Sequence, residues 1–120
     1  MGKDILVIDD EPDVVGFLTR LLRDNGYEVR SAENAVDALE QITRAPPELI
    51  LLDLQMPYES GTDLFRKLRA KSELKEIPII VVSGLAGRNV AVSRHVPVID
   101  KPIDEERLLG EVARALGQPT

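Results

Sequence analysis

"LILLDLQMP", Leu49 to Pro57, decides how this chain is read. Leu49 to Leu52 are four aliphatic residues in a row, the pattern of a short strand covered on both faces. The run ends on a carboxylate, Asp53, where a plain turn would serve a buried strand as well. Strands buried on both sides belong to parallel sheets whose crossovers are helical, so the flanking sequence should alternate strand with helix.

The alternation is there. "DILVI" (4–8) and "IPIIVV" (77–82) are aliphatic, β-branched runs of the same kind. "YEVRS" (27–31) alternates apolar with polar and suits an edge strand, and the short "VPVI" (96–99) suits the other edge. Between them, Val14, Val15, Leu18, Leu21 and Leu22 share one helical face, and Asn25-Gly26 supplies the C-terminal stop. Ala35, Ala38, Leu39 and Ile42 form a second stripe, halted by Pro46-Pro47. Leu64, Phe65 and Leu68 form a third, with Arg66, Lys67, Arg69 and Lys71, in or just past that helix, expected on its solvated face, and Leu108, Leu109, Val112 and Leu116 form a last one. The expected architecture is an open, doubly wound α/β sheet of five parallel strands in the order 2-1-3-4-5, helices on both faces, of flavodoxin-like type. The fourth crossover is thin: "GLAGRNVAVSRH", Gly84 to His95, is Gly-rich and β-branched, so its helix is expected to be short or distorted.

Bulk properties narrow the class. At 120 residues the chain is expected to be one domain, residues 1–120, large enough to bury a core without staples. It has no cysteine, which excludes disulfides and thiolate metal sites. No apolar run approaches the ~18 residues of a membrane span, and the N-terminus lacks a signal-peptide layout, so a cytoplasmic location without membrane attachment is expected. A net charge of −6 disfavours direct nucleic-acid binding.

In such sheets ligands bind outside the carboxyl ends of the strands. Asp9-Asp10 follow the first run, Asp53 the third, Ser83-Gly84 the fourth and Asp100-Lys101-Pro102 the fifth. Each has an ordinary reading: an Asp ahead of Glu11-Pro12 can cap a helix, a Ser before Gly makes a turn, and a lysine is usually solvated. Three carboxylates converging at strand ends repel one another and are tolerated when a cation sits among them. Carboxylate oxygens without His or Cys favour Mg²⁺. A hydroxyl and an ammonium facing that cluster suit a phosphoryl group or other oxyanion at Asp53. Pro102 admits a cis bond after Lys101.

In "ILVIDDEP", "LLDLQMPYESG", "IIVVSG" and "VIDKP" the chain resembles, over nearly its whole length, the receiver domain of two-component response regulators. The resemblance implies that Asp53 is the phosphoacceptor, taking a phosphoryl group from a phosphohistidine of a sensor histidine kinase or a histidine phosphotransfer protein. It implies Asp10 as direct Mg²⁺ ligand, Asp9 as a ligand mainly through water, and Asp53 and the Gln55 carbonyl as further ligands. Ser83 and Lys101 would contact phosphoryl oxygens. The module would catalyse its own phosphorylation and dephosphorylation rather than turn over an external substrate, and would signal to a downstream effector domain or protein. Two features depart from the family. Val98 stands where many receivers carry Tyr or Phe three residues before the lysine, and the fourth crossover is short. Output is therefore expected through the Ser83–Arg94 loop or the surfaces of the first helix and the loops after strands three and five. A phosphohydrolase would show Asp-x-Asp at the nucleophile, whereas Gln55 follows here; a pseudo-receiver interaction module would lack some of Asp9, Asp10, Asp53, Ser83 and Lys101, and all are present.

Overall fold

The computed structural model describes residues 3–53, 61–84 and 96–117, without the side chains of Thr62 and Ser83. Five strands and four helices are formed among the described residues: β1 (Asp4–Ile8), α1 (Pro12–Asp24), β2 (Glu28–Ala32), α2 (Ala35–Arg44), β3 (Leu49–Leu52), α3 (Gly61–Ala70), β4 (Ile79–Ser83), β5 (Val98–Asp100) and α4 (Glu105–Ala115). The strands make one parallel sheet in the order β2-β1-β3-β4-β5, as the alternation of runs implies. The Gly84–His95 crossover falls almost wholly outside the described residues, and so do Gln55 and most of the Ser83–Arg94 loop.

Burial on both faces is visible residue by residue. Leu6, Ile8, Ile50, Leu52, Ile79 and Val81 pack with α2 and α3 through Ala38, Ile42, Leu64 and Leu68. Their neighbours Ile5, Val7, Leu49, Leu51, Ile80 and Val82 face the other way, onto Leu18 and Leu22 of α1 and Leu108 and Val112 of α4. Side chains alternate across a strand, so a strand in the middle of three layers must be apolar at every position. That is the physical content of "LILL".

The helix ends follow local chemistry. Gly26 takes φ +91°, the left-handed conformation a C-terminal stop requires, and its N–H donates to the Arg23 carbonyl at 3.1 Å. Asn34 caps α2, its Oδ1 accepting from the Asp37 N–H at 2.7 Å. Asp104 caps α4 in the same way. At α1 the N-cap is Glu11, whose side chain makes no capping bond.

One basic residue departs from its sequence reading. Arg69, expected on the solvated face of the third helix, lies over the Phe65 ring at 5.1 Å and donates to the carbonyls of Lys75 and Ile77. The turn after α3 leaves those carbonyls without helical partners, and a guanidinium on a stacked aromatic is placed to satisfy both.

Candidate functional site

Parallel register creates the site. Ile8 stands opposite both Leu52 and Ala32, so the next residues, Asp9 and Asp53, leave neighbouring strands side by side. Their backbones continue the ladder: the Asp9 N–H donates to the Ala32 carbonyl at 3.1 Å and the Asp53 N–H to the Ile8 carbonyl at 2.9 Å. The backbone that carries each carboxylate is therefore fixed by a main-chain hydrogen bond. Asp9 is 2% exposed and Asp53 3%, while Asp10, one residue further out, is exposed. One oxygen from each of Asp9, Asp10 and Asp53 lies within 4.8 Å of the others.

Lys101 enters from the far edge of the sheet. It follows Asp100, which pairs with Ser83 at the ends of β5 and β4, and the Lys101-Pro102 bond is cis. Its Nζ lies 3.2 Å from Asp9 Oδ2, 4.0 Å from Asp53 Oδ2 and 2.8 Å from Glu11 Oε1. The Lys101 ammonium thus faces three carboxylates, those of Asp9, Glu11 and Asp53, and Asp10 adds a fourth beside Asp9 and Asp53, so acidic groups outnumber this cation among the described residues. The negative excess, two of whose members are buried, fits a divalent cation with oxygen ligands.

The charges mark each other. Burial pushes the Asp9 carboxyl above the ordinary aspartate value of 3.8; the Glu11 N–H, donating to Asp9 Oδ1 at 2.9 Å, and Lys101 pull against that without cancelling it. For Lys101, burial works to lower the pKa. The hydrogen bond to Glu11, the Asp53 charge and the bond to Asp9 outweigh it and hold the ammonium above the ordinary 10.5. Lys101 is accordingly a fixed positive charge at neutral pH.

Of the residues singled out in sequence, the structure brings Asp9, Asp10, Asp53 and Lys101 together and sets Ser83 at the end of the adjacent strand. Gln55 and the Ser83 hydroxyl lie outside what is described. Val98 is half-buried in β5, packed beside the α2–α3 core. Glu11 was missed: beside Pro12 it carries only a helix-start signal, and nothing local connects it to a lysine ninety residues on. A groove beside the site runs along Asp13, Val14, Phe17, Lys101, Pro102 and Ile103, with Phe17 39% exposed.

Comparison with known proteins adds a second line. Residues 5–113 match the response regulator receiver domain family. Protein Rrf1 of Nitratidesulfovibrio vulgaris is 32% identical over 97% of this chain and 84% of its own length. The nitrogen assimilation regulatory protein NtrX of Azorhizobium caulinodans is 37% identical over 97% of this chain, which spans 26% of that protein. Among solved structures, a sensor protein from a Polaromonas species superposes with a TM-score of 0.89 at 33% identity over 96% of both chains. The receiver domain of NtrX from Brucella abortus gives 0.85 at 33% identity, covering 97% of this chain and all of that one.

Proposed function

The chain belongs to the response regulator receiver domain family of two-component signalling, and from that membership we propose that Asp53 is its phosphoacceptor. The observation that carries this reading is the convergence of Asp9, Asp10 and Asp53 with Lys101 at the carboxyl ends of β1, β3 and β5. An Asp53 carboxylate oxygen attacks the phosphorus of a phosphohistidine on a sensor histidine kinase or histidine phosphotransfer protein. The new P–O bond forms as the P–N bond breaks, and the imidazole nitrogen leaves with the bonding pair and takes a proton.

Each residue has a share in that displacement. The main-chain bond from Asp53 to Ile8 fixes the backbone that carries the nucleophile. Lys101 stands where phosphoryl charge develops, and the Ser83 hydroxyl is assigned to another phosphoryl oxygen. Asp9, Asp10, Asp53 and the Gln55 carbonyl are the proposed Mg²⁺ ligands, and the metal, when bound, neutralises charge on the transferring group. The groove beside α1 supports docking of the histidine-bearing partner there, with Phe17 as an apolar anchor. Dephosphorylation by water at the same site returns the module to its resting form, so it acts as a switch read by an effector domain or protein.

The test is intact mass after incubation with a small phosphodonor and Mg²⁺. The wild-type chain gains one phosphate and Asp53→Asn gains none. No adduct on the wild type would instead favour an interaction module that keeps the fold without the chemistry.

A further inference from the structure

Lys101 does not point most closely at Asp53. Its Nζ is 4.0 Å from Asp53 Oδ2, outside hydrogen-bond range, but 2.8 Å from Glu11 Oε1. Glu11 is well placed to hold it. Its N–H is bound by Asp9 Oδ1 at 2.9 Å, and its carbonyl accepts from the Val14 and Val15 N–H groups at 3.1 Å, which fixes the backbone at the start of α1. Its side chain makes no capping bond and reaches across the mouth of the crevice, 58% exposed, to the ammonium.

We propose that Glu11 is a positioning residue for Lys101: it draws the ammonium to the mouth of the crevice in the unphosphorylated chain and competes for it with the oxygens of a phosphoryl group on Asp53. This rests on Asp53 being the phosphoacceptor. A lysine ammonium has three N–H donors and one charge. With Glu11 and Asp9 engaging two of the donors, a phosphoryl oxygen gains the full charge only as the pairing with Glu11 loosens. The Glu11 carboxylate thereby sets how readily the site accepts and keeps its phosphoryl group, without touching that group.

The experiment compares wild type, Glu11→Gln, Glu11→Asp and the same Glu11→Gln change on a Lys101→Met background. Exposed ion pairs of this kind carry modest energies, so phosphorylation by acetyl phosphate at saturating Mg²⁺ is expected to quicken about two- to fivefold in Glu11→Gln, with beryllofluoride affinity rising in parallel. Glu11→Asp, which keeps the charge, should fall between the two. On the Lys101→Met background the Glu11→Gln gain should vanish, whereas a general effect of removing one negative charge would persist and overturn the proposal. An independent readout needs no phosphoryl chemistry: the Lys101 ammonium resonance in ¹H–¹⁵N spectra of the metal-free chain should move in Glu11→Gln. A resonance that stays in place, or wild-type rate and affinity in a Glu11→Gln chain that takes up phosphate, overturns the inference and leaves the phosphoacceptor reading standing. A wild-type chain that takes up no phosphate overturns both.

Discussion

Lys101 Nζ stands 4.0 Å from Asp53 Oδ2, so an edge strand delivers its cation to a carboxylate carried by the central strand. The contact joins the two ends of the site. It also ties a buried Asp9–Asp53 pair to the Lys101 ammonium, which bears on the site's response to metal and to pH.

Mg²⁺ should stabilise the folded chain, because the carboxylates proposed as its ligands are assembled only in the fold. At one hundred times its dissociation constant the gain is about 2.7 kcal/mol, read as a rise in the urea midpoint. Asp10→Asn, which removes the exposed member of the cluster, should diminish that rise while shifting metal-free stability by no more than about 0.5 kcal/mol.

Stability in the absence of metal should depend on pH through Asp9 and Lys101. The Asp9 pKa is raised by burial in the folded chain, so its contribution is present below the unfolded value near 3.8 and is lost as pH rises through the folded value. Asp9→Asn should therefore lose less stability between acid and neutral pH than the wild type, in urea titrations with chelator. Lys101 has the same sign at the alkaline end of the scale. With its pKa held above 10.5 in the fold, its contribution is intact below 10.5 and fades as pH climbs through the folded value.

The central strand should be intolerant of truncation. Leu52 is wholly buried one residue before Asp53, and Leu52→Ala is expected to cost about 2–5 kcal/mol by chemical denaturation. Val36, 67% exposed on α2, is the control, and Val36→Ala should change stability by no more than about 0.5 kcal/mol.

Capping of α2 rests on one side chain. Asn34→Ala removes the acceptor for the Asp37 N–H and should cost about 1 kcal/mol. Asn34→Asp, which keeps an oxygen there, should restore most of it.

What was legible in advance was whatever a local pattern encodes. "LILL" and "DILVI" are apolar at every position because both faces of a central strand are covered, and that requirement is written in consecutive residues. The places of Asp9, Asp10, Asp53, Ser83 and Lys101 were likewise readable, since each closes a strand or follows one within two residues and a parallel sheet gathers such ends along one edge. Arg69 was misread because its partners are carbonyls freed by the turn after α3, and the helical periodicity that made it a surface residue carries no information about them.

The sequence by itself therefore determined the element types, their order in the sheet and the row of polar and charged side chains at its carboxyl end. Only the tertiary structure decided how those groups divide their charges: that Asp9 and Asp53 are buried while Asp10 is not, and that Lys101 lies nearer Glu11 than Asp53. The physical reason is range. Backbone periodicity acts between near neighbours in the chain, whereas an ion pair depends on how two strand-end segments ninety residues apart approach in space, and no local pattern specifies that distance.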